Sequence, residues 1–199
     1  MIKVYVEPNF RGPDEGDGGI RRVVEAMKQH LPARGYEITT DIQKADIVHT
    51  HAGSTPDVPQ NIPWITSCHG LYWQEYEWPK WCHALNRDVI EAMRRADHVT
   101  APSEWVAQIL RRGMWLRPTV FHHGVDLDDW EPTPDPASYI LWNKNRPDPI
   151  CDPKPLIDLA AQAPDLRFVT TFGQEMDNVR VTARTGYEEM KELVRRAGV

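Results

Sequence analysis

Residues 2–27 read IKVYVEPNFRGPDEGDGGIRRVVEAM. The first six residues are apolar and β-rich, which fits a buried strand. After a glycine-rich turn, Val23, Val24, Met27 and Leu31 recur at helical spacing, and Gly35 stands where a helix end favours a left-handed residue. A strand, a glycine turn and an amphipathic helix in that order open a doubly wound α/β domain. The turn itself does not spell the dinucleotide fingerprint G-x-G-x-x-G, because Gly16, Gly18 and Gly19 are bunched. Asp14, Glu15 and Asp17 would also repel a diphosphate unless they face away. A tight corner is the simpler reading, yet Gly18 and Gly19 still leave bare N–H groups at a helix N-terminus.

Outward from this unit the alternation continues. YEITT (36–40), ADIVHTH (45–51), IPWITSCH (62–69), DHVTAP (97–102) and PTVFHH (118–123) are short apolar runs bounded by turn residues, and each reads as a strand. Val89, Ile90 and Met93 mark a second helix; Val106, Ile109 and Leu110 mark a third, with Ser103 placed as its cap. Strands alternating with helices predict a parallel sheet covered on both faces. Residues 124–137, GVDLDDWEPTPDPA, carry three prolines and five acidic residues without periodicity and read as a linker. The pattern restarts with SYILWN (138–143), a helix capped by Asp152 with Pro153 in its first position, LRFVTTF (166–172), and a last helix opened by a capping box of Thr185 and Glu188. The expected organisation is a first domain over 1–123, a linker over 124–137 and a second domain over 138–199. Two strands and two helices fall short of the ~100 residues of an ordinary domain, so the second is expected to be incomplete.

Composition narrows the function classes. With 41% hydrophobic and 26% charged residues the chain is an ordinary globular protein, and a net charge of −6 gives no footprint for nucleic acid. Arg94-Arg95 and Arg111-Arg112 read as solvated helix faces. No apolar run reaches the ~18 residues of a membrane span, and a cytoplasmic protein is expected. Cys68, Cys82 and Cys151 are odd in number and unpatterned, which predicts free thiols.

His49 and His51 lie two apart on a strand and so point to the same face, which is how some metal hydrolases begin a ligand set. Cys68-His69, Cys82-His83 and His122-His123 add further ligand types, but no tetrahedral-site spacing or carboxylate motif accompanies them. Histidines at the carboxyl ends of parallel strands equally line the crevice where such sheets bind ligands. His69 follows the fourth strand and precedes a glycine and the aromatic run LYWQEYEWPKW (71–81). A histidine there can donate a hydrogen bond to a polar substrate, and aromatic faces such as Tyr72 suit sugar rings, although packing serves each aromatic equally well.

Taken in order, DGGIRRVVEAMKQHLPARGYEIT, ADIVHTHAG, ITSCHG, ADHVTAPSEWVAQILRRG and VFHHGVDLDDWEP resemble the N-terminal domain and linker of a GT-B glycosyltransferase of the retaining family four. YILWNKNRPDPICDPKPLIDLAAQAPDLRFVTTFG resembles the opening of that family's C-terminal, donor-binding domain. The resemblance implies two Rossmann-like domains facing a cleft, sugar transfer from a nucleotide-sugar donor with retention of configuration, and neither cofactor nor metal. The acceptor would be a sugar, a lipid-linked molecule or a small molecule. It further implies that Gly18 and Gly19 approach the donor diphosphate, that Arg146 and Lys154 neutralise it, and that His69 lies beside the transferred sugar as the catalytic residue. His51, Tyr72 and Ser103 would line the acceptor side. Gly124, Val125 and Asp126 match the family's Gly-Val-Asp, although His123 stands where asparagine is usual. The family's pair of glutamates belongs to a later segment, so a truncated fragment with little activity alone is expected. A metal-dependent hydrolase built on His49 and His51, a non-catalytic sugar or nucleotide binding module, and a nucleotide-sugar epimerase remain alternatives.

Overall fold

A computed structural model describes residues 1–10, 12, 18–72, 77–131, 133, 138–144, 151–183 and 185–198 of the chain. It divides into two compact units, Met1–His123 and Gly124–Val199. Both are α/β with parallel sheets, so the doubly wound, Rossmann-like class read from the sequence holds.

In the first unit six strands, β1 (Ile2–Glu7), β2 (Tyr36–Thr39), β3 (Ile47–His51), β4 (Trp64–Ser67), β5 (His98–Ala101) and β6 (Thr119–Val120), form one sheet in the order β2-β1-β3-β4-β5-β6. Every pairing is parallel. Three helices connect them: α1 (Gly19–His30), α2 (Lys80–Arg95) and α3 (Glu104–Met114). The order reverses at β1, so α1 covers one face while α2 and α3 cover the other. Val24 of α1 packs on Val4 and Val6, whereas Ala92 of α2 packs on Tyr5, Val48 and Trp64. Beyond them, Met93 and Leu110 bring α2 and α3 together over Val99 and Ala101.

The helix ends follow the sequence signals. α1 gives way to a single 3-10 turn, Pro32–Arg34, closed by Gly35 at φ 86°, a conformation that glycine adopts without a Cβ penalty. Ser103 caps α3, its hydroxyl accepting from the Val106 N–H at 3.3 Å. The polar residues that enter the core are paired there. Trp64 Nε1 donates to Thr50 Oγ1 at 2.9 Å, and that hydroxyl donates to Thr66 Oγ1 at 3.0 Å. Cys68 and Cys82 are buried thiols in this unit, and Cys151 in the second, none of them in a disulfide, as the sequence led one to expect.

The second unit holds β7 (Tyr139–Trp142), β8 (Arg167–Thr170) and β9 (Val179–Val181) in a parallel sheet of that order, with α4 (Lys154–Gln162) and α5 (Tyr187–Arg196). Leu156 and Ala160 of α4 pack on Phe168 and Val179. Three findings depart from the sequence reading. β9 is a third strand that its three-residue length hid from any periodicity count. α4 begins one residue later than expected, with Pro153 itself at the N-cap and Asp152 Oδ1 accepting from the Lys154 N–H at 2.9 Å. The capping box at α5 does not form: Gly186 is the N-cap, Glu188 faces solvent near Lys191, and the buried Thr185 hydroxyl has no partner among the described residues. The residues read as linker are also engaged within this unit. Asp129 accepts from Tyr187 and pairs with Lys191, and Arg195 Nε donates to the Glu131 carbonyl at 2.8 Å.

Leu110 is 1% exposed at the centre of the α2–α3 core. Leu110→Ala is expected to lower the stability of the first unit by about 2–5 kcal/mol in urea unfolding; a loss below about 1 kcal/mol would contradict the packing.

Candidate functional site

Because all six strands of the first unit run the same way, their carboxyl ends share one edge, and the order reverses between β1 and β3, the place where open α/β sheets bind ligands. Strand alternation decides which side chains reach it. Val48 and Thr50 turn toward the α2 side, so His49 and His51 turn toward the α1 side. β4 pairs in register with Ser67 opposite His51, which puts Ser67 on the same face.

Four imidazoles line up at this edge. The rings of His49 and His51 stack at 4.6 Å, those of His51 and His69 lie 5.2 Å apart and tilted, and His69 stacks on His123 at 5.3 Å. Hydrogen bonds tie the row to the sheet. His49 Nε2 meets Ser67 Oγ at 2.8 Å, and that hydroxyl meets Thr100 Oγ1 at 2.7 Å. His51 Nδ1 meets His69 Nε2 at 2.9 Å, and His51 Nε2 lies 3.2 Å from Met27 Sδ on α1. Burial disfavours the charged form of His49, His51 and His69. It pulls His49 and His69 from the ordinary 6.5 to about 4, with His123 and His49 adding to the effect at His69. For His51, 1% exposed, burial and the neighbouring histidines lower it to about 2. These three rings are therefore neutral at pH 7.

Two backbone features hold the flanking turns. Ala52 adopts φ 56° and its N–H donates to the Ser67 carbonyl at 3.0 Å, while a Cβ on Gly53 would come within 2.8 Å of Asp88 Cβ on α2. Only glycine allows that approach. After His69 the chain turns at Gly70, φ 130°, and Asn86 of α2 then clamps Tyr72: the Tyr72 N–H donates to Asn86 Oδ1 at 2.8 Å and Asn86 Nδ2 donates to the Tyr72 carbonyl at 2.7 Å. The Tyr72 ring packs edge-on against Trp78 and Trp81, so this aromatic group is at least partly a packing cluster. At the end of β1, Glu7 accepts from Tyr5 OH at 2.5 Å and from Ser54 Oγ at 2.7 Å.

Of the residues singled out from the sequence, the fold thus brings His51 and His69 into direct contact. Ser103 serves as the α3 cap. Gly18 and Gly19 sit at the α1 N-terminus, where a Cβ added to Gly19 would meet nothing within 4 Å among the described residues. Lys154 lies in the second unit, exposed, with Nζ 2.5 and 2.7 Å from the two Asp158 oxygens. Arg146 lies outside the described residues. Sequence reading missed Glu7, Asn86, Met27 and the stacking of His123 on His69. The position of Glu7 at the carboxyl end of the first strand was the one available signal. Among the described residues no three His, Cys, Asp or Glu side chains converge to hold a metal ion. The histidine rings stack on one another instead of aiming lone pairs at a common point.

Residues 41–129, which carry His49, His51, His69, Ser103 and His123, match the family model described as Glycosyltransferase Family 4. No curated protein matches the chain. No helix among the described residues is long and apolar enough to cross a membrane.

The neutral rings of His49, His51 and His69 predict acid sensitivity with a definite sign. Unfolded, each ring gains a proton near pH 6.5; folded, His49 and His69 do so only near 4. Between those values the unfolded chain binds more protons, so the stability these rings contribute is complete above pH 6.5 and is lost as pH falls toward 4. The slope approaches about 1.4 kcal/mol per pH unit for a fully buried ring and is smaller for the partly exposed His69. The urea midpoint of the first unit is expected to fall between pH 7 and 5, less steeply in His51→Asn; equal slopes would contradict this origin.

Proposed function

We propose that the glycosyltransferase family 4 domain of this chain moves a sugar from a nucleotide-sugar donor to an acceptor hydroxyl with retention of configuration, without a metal ion. The observation that carries this reading is the match over residues 41–129, whose strand ends hold the histidine row. A glycosyltransferase acts on a sugar donor and an acceptor; the acceptor here is proposed to be a sugar, a lipid-linked molecule or a small molecule.

On this reading the chemistry is chiefly electrostatic. As the bond between sugar and diphosphate breaks, negative charge grows on the leaving group, and fixed cations and N–H groups stabilise it more than they stabilise the bound donor. The α1 N-terminus offers such N–H groups, and the open space above Gly19 supports close approach of a phosphate to the backbone. Lys154 supplies a point charge. Its exposed pairing with Asp158 is worth about 0–1 kcal/mol, so a diphosphate displaces that carboxylate at small cost. Arg146 is proposed as the second cation on sequence grounds, since arginine holds phosphate through two parallel bonds. His69 would contact the transferred sugar, and His51, Tyr72 and Ser103 would border the acceptor.

The direct experiment incubates the full-length protein with a panel of nucleotide sugars and acceptors and measures release of nucleoside diphosphate, with binding followed by calorimetry. Binding and release are expected, with the product anomer matching the donor and the rate unchanged by chelator. If no nucleotide sugar binds and no diphosphate appears with any acceptor, the reading fails. Gly19→Ala is expected to keep or slightly raise stability, by about 0.4–1 kcal/mol, while weakening donor binding. His69→Ala is expected to lower turnover about a hundredfold, the scale of one lost transition-state contact.

A further inference from the structure

The hydrogen bonds of the histidine row determine where its protons sit. His51 is 1% exposed, so both ring nitrogens must find partners within the protein. Its Nε2 faces Met27 Sδ at 3.2 Å, and a thioether sulfur has lone pairs but no proton to give. The His51 proton is therefore on Nε2, directed at the sulfur, and Nδ1 carries the lone pair. That lone pair faces His69 Nε2 at 2.9 Å, which must donate. A neutral imidazole has a single ring proton, so His69 Nδ1 is bare, and none of the described residues bonds to it. Both rings are kept neutral at pH 7 by burial. The reverse arrangement would set a lone pair of His51 against those of Met27 and leave a buried nitrogen without a donor, which desolvation penalises.

We propose that Met27 and His51 are positioning residues that fix His69 as its Nε2–H tautomer, so that His69 meets the bound sugar as an acceptor from a hydroxyl and not as a donor. The role toward the sugar rests on the function proposed above; the tautomer does not. A site that accepts from a hydroxyl discriminates against an analogue lacking it, because the nitrogen, shut off from water by the bound sugar, is then left unpaired. Met27 lies on α1, two turns along from the glycine pair, so one helix serves both the proposed diphosphate contact and the proton order of the histidines.

Histidine-selective nitrogen-15 labelling of the full chain, read by long-range proton–nitrogen correlation at neutral pH, reports the protonation of each ring nitrogen. The ligand-free protein is expected to show His51 and His69 both protonated on Nε2 and bare on Nδ1. A proton on Nδ1 of His69, or averaged tautomers, overturns the proposal. Met27→Leu removes the sulfur acceptor at nearly constant volume and is expected to mix the tautomers of both rings; unchanged populations overturn the role of Met27. His51→Asn, whose Oδ1 replaces the Nδ1 acceptor, is expected to keep the tautomer of His69. With the donor found in the release assay, Met27→Leu is expected to lower kcat about three- to tenfold, the scale of one weakened hydrogen bond. An unchanged kcat despite mixed tautomers overturns the role toward the sugar. If no nucleotide sugar reacts, the functional reading fails while the nitrogen spectrum still decides the tautomer.

Discussion

The parallel pairing of β1 with β3, which sets Val4 against Ile47 and Glu7 against Thr50, governs everything else in the first unit. It is the point at which strand order reverses, so α1 is sent to one face and α2 and α3 to the other. Because side chains alternate along a strand, the same register sends Val48 and Thr50 into the α2 core and His49 and His51 to the α1 side. A slip of one residue would bury both imidazoles among Tyr5, Trp64 and Ala92 and expose the valine. The histidine row is thus a consequence of the same register that builds the core.

Burying imidazoles is costly unless each ring nitrogen finds a partner. Here the partners come from the row's own neighbours: Ser67 for His49, His69 and Met27 for His51. The turns that carry these residues are held by tight backbone requirements at Ala52, Gly53 and Gly70, and by the amide of Asn86 on Tyr72. The geometry of the edge is therefore set before any ligand arrives, which is the condition for electrostatic stabilisation without reorganisation.

Much of this was legible in the residues. Each of the eight segments read as strands is a strand, because short β-rich runs between turn signals leave few alternatives in a repeating α/β pattern. The direction of His49 and His51 followed from period two alone. What the sequence concealed was long-range or very local. The Asn86 clamp and the Met27 contact join residues far apart in the chain with no periodic signature. β9 is too short to show alternation. At Thr185 a capping motif is present in letters but loses to Gly186, whose extended backbone starts the helix one residue later. Lys154 was found by resemblance, and its pairing with Asp158 one turn along α4 is a local i,i+4 effect that the same resemblance did not foresee.

The three buried thiols have a practical consequence. Cys68 sits in the core under α2 and α3 with its thiol pushed up by burial, which keeps it protonated and unreactive in the closed fold. Cys82 is on α2, and Cys151 lies in the second unit. An alkylating reagent therefore reaches each sulfur only when its surroundings open. Mass-resolved labelling over time would read as three independent clocks for local opening, two in the first unit and one in the second, without introducing any probe.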